Sequence, residues 1–295
     1  MSRETYKDFK FNHATGQLVA AMNLVIDDLS AQGYRLTVRQ LYYQLVSKDI
    51  IENTERSYKR VTGVANDARL AGMMDWDAIE DRTREFQRRP HWSSGGEILA
   101  AVGQQYHMDM WETQRNRVFV IIEKEALVGI FESLCKTLDI PLLAARGYPS
   151  VSVVREFVKE DILPAQEAGQ DVTVLHLGDH DPSGIDMTRD LQDRIQLFTY
   201  GVPVDVERIA LNMDQIKKFK PPPNPAKVTD SRFEAYARKF GQSSWELDAM
   251  KPEFLNKLVD TWTRKYIDTD AWDERQEEID HTRARLLKLA KGFNK

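Results

Sequence analysis

The strongest constraint on the fold is a change of hydrophobic period near residue 117. From there four short apolar runs, RVFVII (117–122), IPLLAA (140–145), VTVLHLG (172–178) and VERIAL (206–211), alternate with segments of helical period, EALVGIFESLCKTL, SVVREFVKEDILPAQ and GIDMTRDLQDRIQLF. Continuous apolar runs of this length fit strands buried on both faces, and strands alternating with helices make a parallel sheet covered on both sides. In such sheets a ligand binds beyond the carboxyl ends of the strands. This part of the chain is therefore α/β and Rossmann-like.

The first third reads differently. Leu18, Ala21, Met22, Val25 and Leu29 form one apolar face of a helix expected over 15–32, which Gly33 stops. Thr37 and Gln40 have the spacing of a capping box, so VRQLYYQLVSKD should be a second helix. Asn53 is the expected cap of a third helix, TERSYKRVTGVANDARLAG, ending at Gly72. Three short helices and an apolar stretch around Ile79 suggest a helix-turn-helix or winged-helix module. With HWSSGG (91–96) as the linker, the expected division is a DNA-binding domain over 1–95 and a sheet domain over 96–295, α+β overall. The latter carries a C-terminal helix from about Trp272 to Lys291, acidic early and basic late, as the helix dipole favours. PPPNP (221–225) marks a loop.

Composition narrows the function. A chain of 295 residues, 42% hydrophobic and 29% charged, has room for two domains and is not disordered. No apolar run approaches the roughly 20 residues that cross a bilayer, and the charged start MSRETYKDFKFNH lacks the apolar core of a signal peptide. The expectation is a cytoplasmic, nucleoid-associated protein with no membrane partner. One cysteine, Cys135, excludes an intrachain disulfide and a cysteine-cluster zinc site. The net charge of −5 argues against coating nucleic acid by bulk charge, but local charge decides contact. Residues 35–60 are net positive, with Arg35, Arg39, Lys48, Arg56, Lys59 and Arg60, and a second basic cluster follows in Arg82, Arg84, Arg88 and Arg89 beside Trp92. Either cluster alone would equally suit a solvated face.

Two groups of residues carry candidate chemistry. Glu123, then Lys124 and Glu125, follow the first strand directly; GDHDPSG places Asp179 and Asp181 after the third. If those strands are neighbours, three carboxylates meet and raise one another's pKa unless a cation neutralises them. Oxygen-only ligands suit Mg²⁺, with Mn²⁺ as a substitute. Asp186, one turn on, is a candidate for a second ion. Ordinary turn and capping chemistry would also account for DxDPxG and for Glu125. No Walker-type phosphate loop is present. The second group is Arg39, Tyr42 and Tyr43 on the second helix. A tyrosine can attack a phosphodiester, and a nearby cation such as Arg39 can assist at the phosphate or the phenol. Alternatively, such a tyrosine simply packs in the core.

These motifs, in this order, resemble a known family. TVRQLYYQ (37–44), VIIEKEAL (120–127), RGYPSVS (146–152), GDHDPSGIDM (178–187) and SWELDAMKPEFL (244–255) are similar to segments of the A subunit of topoisomerase VI, a type IIB DNA topoisomerase, and of its meiotic double-strand-break relatives. The chain most resembles the short stand-alone versions called Topo mini-A. The resemblance implies a winged-helix (CAP-like) domain joined to a Toprim metal-binding domain. It matches Tyr43 to the nucleophile, Arg39 to the arginine preceding it, and Glu123, Asp179 and Asp181 to the Toprim carboxylates. It also implies a homodimer in which the tyrosine of one chain faces the metal site of the other. The short lead before the first helix argues against docking of an ATPase B-type subunit, and the tract from Val206 to Ser244 has no counterpart in the family.

The resulting expectation is an Mg²⁺-dependent DNA transesterase acting on double-stranded DNA. Tyr43 attacks, Arg39 and Tyr42 assist, and Arg35, Arg56, Lys59, Arg60 and Lys124 contact the DNA. The alternatives are a Toprim nuclease using metal-activated water and a non-catalytic DNA-binding module.

Overall fold

In the computed structural model, residues 3–79 and 89–293 are described. Arg82, Arg84 and Arg88 of the second basic cluster lie outside them; Arg89 is exposed.

The amino-terminal part consists of α1 (His13–Ser30), α2 (Val38–Ser47) and α3 (Glu55–Leu70). The capping box on α2 forms as its sequence dictates: Gln40 N–H donates to Thr37 Oγ1, and Thr37 N–H donates to Gln40 Oε1 at 2.8 Å. α1 begins two residues earlier than expected, capped by Asn12, and Thr54 rather than the expected Asn53 opens α3, its hydroxyl accepting from Ser57 N–H. Asn53 is left with its amide for other work. The apolar faces of the three helices close on one another around Met22, Leu41, Leu45, Val61 and Ala65. Leu36 and Ile79 form a single parallel bridge. No β-hairpin wing occurs among the described residues of this part.

After α4 (Gly95–Gln105) come β1 (Asn116–Ile122), α5 (Val128–Thr137) and β2 (Leu142–Ala144). Helix α6 (Val151–Phe157) runs through a wider π turn into α7 (Leu163–Glu167), and β3 (Asp171–Leu177), α8 (Pro182–Phe198) and β4 (Asp205–Ala210) follow. The four strands are all parallel, in the order β2-β1-β3-β4. Their side chains alternate as a doubly covered sheet requires. Val118, Val120 and Ile122 face one core with Leu175 and Leu177, while Phe119 and Ile121 face the other with Val172 and Val174. The order reverses between β1 and β3, and at such a switch point the carboxyl ends leave a crevice. Glu123 and Asp179 stand at its two sides.

The remaining chain reaches both ends of the sheet, Trp245 pairing with His180 after β3 and Tyr266 accepting from Asn116 at the start of β1. It comprises α9 (Met213–Phe219), β5 (Asn224–Pro225), α10 (Phe233–Phe240), β6 (Ser243–Ser244), α11 (Pro252–Arg264) and α12 (Thr269–Gly292). β5 and β6 pair antiparallel, and α12 packs along α4. A 3-10 turn, Leu247–Ala249, carries Ala249 into the amino-terminal core beside α2. No helix among the described residues is long and apolar enough to cross a membrane.

The turn after β3 tolerates no side chain at Gly184. A Cβ there would lie 2.2 Å from the carbonyl oxygen of Asp179, a backbone atom that cannot swing away. Gly184→Ala is expected to destabilise the protein by about 2–3 kcal/mol, read as a lower urea midpoint, whereas the same change at Gly63, with open space around it, leaves the midpoint unchanged or higher.

Candidate active site

The sequence places Glu123 one residue beyond β1, and the sheet turns it toward the β3 end. Its Oε2 accepts the backbone N–H of Asp179 at 2.8 Å, so the two strand-end acids are joined through main chain. Gly178 permits this approach, since a Cβ there would meet Glu123 Oε2 at 3.0 Å. Asp179 is buried and doubly engaged: Oδ1 accepts from Leu247 N–H at 2.8 Å, and Oδ2 pairs with Lys124 Nζ at 2.8 Å. Asp181 caps α8, its Oδ1 accepting from Gly184 N–H at 2.6 Å and from Ser183 Oγ at 2.9 Å. Burial pushes Glu123 up, with a smaller contribution from Asp181; it pushes Asp179 well up, against the pull of Lys124.

Lys124 departs from expectation. It was read as a DNA contact, yet its ammonium points inward and binds Asp179, Glu246 and Asp248 Oδ1, the last at 3.2 Å. Burial alone would lower its pKa; the three carboxylates more than reverse this and hold it charged. Asp248 is itself wholly buried and pairs on its other side with Arg39 Nε at 3.0 Å, while Glu246 reaches Arg39 Nη2 at 3.2 Å. The late acidic segment thus clasps both the strand-end lysine and the arginine of α2. Its residues Glu246 and Asp248 were legible only as part of the SWELDAM resemblance.

Tyr43 lies on α2 four residues after Arg39, whose guanidinium is 5.8 Å from the ring centroid. The residue is 7% exposed. Burial, then Asp248 and Glu246, push the phenol up to about 12, against the smaller opposing effects of Arg39 and Lys124. At rest Tyr43 is therefore a neutral phenol; Arg39 is too committed to carboxylates to ionise it. Tyr42 has a structural job, its hydroxyl donating to Asn53 Oδ1 at 2.8 Å and to Thr54 O at 3.2 Å. Within this single chain Tyr43 already adjoins the acidic segment, whereas the resemblance led us to expect that meeting across a dimer.

A residue missed by sequence reading underlies the turn. Arg208, on β4, donates to the carbonyls of Gly178, Asp179 and Gly184 at 3.0, 2.6 and 2.8 Å. Burial lowers its pKa to about 10, still a cation beneath Glu123, Asp179 and Asp181. The unassigned tract also finds its place. Tyr236 on α10 contacts His180 Nδ1 at 2.8 Å and donates to His180 O, and Trp245 pairs with His180 backbone to backbone. Burial lowers His180 to about 4, so it stays neutral.

The other expected residues scatter. Arg56, Lys59 and Arg60 are exposed on α3, Lys59 pairing with Glu55 at 2.7 Å. Arg35 stands apart, facing Asp77. Asp186 is claimed by Arg189, Arg232 and the Tyr148 hydroxyl, and Glu125 by Arg146, so neither joins the strand-end acids. A hollow of about 680 Å³ around His107, Arg117, Glu132 and Cys135 contains none of these residues.

Five carboxylates (Glu123, Asp179, Asp181, Glu246, Asp248) face three cations (Lys124, Arg39, Arg208), a deficit of two positive charges. Glu123, Asp179 and Asp181 offer oxygen donors only, the type that suits a hard cation such as Mg²⁺, while the Lys124 ammonium lies among Asp179, Glu246 and Asp248. Among the described residues no three acid, imidazole or thiol side chains converge to a coordinating set; Asp179 is turned to Lys124 and Asp181 to its helix cap. No protein-family model matches the chain, and the search of curated proteins returns no match.

Because Glu123 has its pKa raised on folding, its ionised form costs stability at neutral pH, and that cost disappears as pH falls below the ordinary glutamate value. Glu123→Gln, which keeps the acceptor for Asp179 N–H, is expected to melt a few degrees higher than wild type at pH 7 without metal. The gain should shrink toward zero near pH 4, as thermal melts at both pH values will show.

Proposed function

We propose that this protein cleaves DNA by tyrosyl transesterification, as a homodimeric relative of the type IIB topoisomerase A subunits with winged-helix and Toprim domains. The observation that carries the reading is a chain of contacts from Tyr43 through Arg39, Asp248 and Lys124 to Asp179, which joins α2 to the ends of β1 and β3. A core tyrosine has no need of such neighbours; the neighbouring Tyr42, with its hydroxyl satisfied on Asn53 and Thr54, serves that purpose.

In the proposed reaction the Tyr43 oxygen bonds to the scissile phosphorus and the bond to the 3′ oxygen breaks. The protein is left joined to the 5′ phosphate, and the 3′ oxygen leaves as a hydroxyl after taking up a proton. Glu123, Asp179 and Asp181 would hold Mg²⁺, which when bound orients the phosphate and stabilises the departing oxygen. Arg39 lies beside the phenol, 47% of its side chain exposed, and can turn its guanidinium to a phosphate oxygen. Lys124 holds Asp179 and the late segment in register, a positioning role rather than a DNA contact. Arg56, Lys59 and Arg60 line the exposed side of α3 and suit contacts to the DNA backbone. The phenol's raised pKa means its proton must be drawn off as the phosphate arrives, so activity should rise with pH across the neutral range.

The test uses supercoiled plasmid with Mg²⁺, quenched with detergent and resolved with and without proteinase. Wild type is expected to give protein-linked breaks. Tyr43→Phe should lose them by at least about a thousandfold while binding DNA within about twofold of wild type; Tyr42→Phe should retain them and lose about 1 kcal/mol of stability with its hydrogen bond. Protein-free 5′-phosphate ends, persisting in Tyr43→Phe, would instead mark a nuclease that uses water, and EDTA-indifferent binding without breaks a non-catalytic module.

A further inference from the structure

Beside Tyr43 lies a cleft of about 270 Å³ lined by Arg39, Tyr42, Tyr43, Asn53, Thr54, Glu55, Tyr58 and Asn224. Its chemistry differs from that of the acidic cluster. Three tyrosines form its wall, Tyr42 meeting Tyr43 at 5.1 Å and Tyr58 at 5.3 Å between ring centroids, both edge to face. Two amides join across it, Asn53 Nδ2 donating to Asn224 Oδ1 at 2.7 Å. That bond leaves each amide nitrogen a further hydrogen to offer. We propose that this cleft receives one nucleobase of the DNA strand being cleaved, next to the phosphate that Tyr43 attacks; the inference rests on the transesterase reading for its choice of ligand.

Size, charge and position favour a base. The volume is below the roughly 300–1,000 Å³ of ordinary small-molecule pockets and suits a single planar ring system. A phosphate is a poor occupant of the cleft itself, since its lining sets the Glu55 carboxylate against a single cation, Arg39. Aromatic rings with amide hydrogen-bonding groups are what recognise an unstacked base. Tyr58, 36% exposed, offers ring surface at the entrance. It sits on α3 beside Lys59, about 100° from it around the helix, while Arg56 and Arg60 face the other side. Asn224, from the tract without family counterpart, closes the far side, which gives that tract a reason to reach α2.

Removing a base from the duplex stack costs a few kcal/mol, least where it is unpaired. The test therefore compares a short duplex carrying one unpaired 2-aminopurine with the same duplex fully paired, titrated with the full-length wild-type protein in EDTA so that no strand is cut. The unpaired duplex is expected to bind more tightly, with its fluorescence quenched by the tyrosines. Tyr58→Leu, an exposed position whose variant should fold normally by circular dichroism, is expected to weaken that duplex by at least about fivefold and abolish the quench, leaving the paired duplex within about twofold. Equal affinity for the two duplexes, or a quench and a preference that survive Tyr58→Leu, would overturn the proposal. Failure of wild type to form protein-linked breaks in the plasmid assay would defeat the transesterase reading and leave this result standing.

Discussion

One buried cation organises the candidate site. The Lys124 ammonium sits among Asp179, Glu246 and Asp248, and through Asp248 the same acids reach Arg39 on α2. Desolvating so many charges is costly, and the cluster persists only because each charge has partners. Break the set at any member and a charge is stranded in the interior. These charges fix the geometry in which the tyrosine helix, the sheet and the late acidic segment meet, beside the apolar packing of Leu247, Ala249 and Met250.

The sheet places these charges together without help from local sequence. Parallel pairing of β1 with β3 brings residue 122 level with residue 177, and the next residues, Glu123 and Asp179, follow as strand ends. Strand order decides the outcome: with another strand between them the two acids would be too far apart to share a hydrogen bond. The long, buried β-branched runs specify the strands, and the switch in order supplies the crevice.

Much of this was readable from residues alone, for identifiable reasons. The four strands were legible because they are buried on both faces and thus continuously apolar; the α2 cap was legible because Thr37 and Gln40 act within one turn. The misplaced α3 cap reflects competition between the adjacent Asn53 and Thr54, which local rules separate poorly. Lys124, Arg208 and Asp248 were misread, seen only in part or missed because their partners are distant in sequence, as Asp179 is from Lys124 and Arg39 from Asp248, and a charged residue in a sequence gives no sign of which way it faces. The tract after Val206 was unreadable for the same reason: Tyr236 and Asn224 act on His180 and Asn53, neither of which announces the contact.

The two sides of the cluster are anchored in unlike ways. Arg208 grips the β3 turn through main-chain carbonyls, from within the sheet, whereas Arg39 holds the tyrosine helix through two carboxylates with half its side chain in water. Dissolved ions weaken the second attachment far more than the first. The contact between α2 and the late acidic segment is accordingly the salt-sensitive one of the two, and the β3 turn the fixed one.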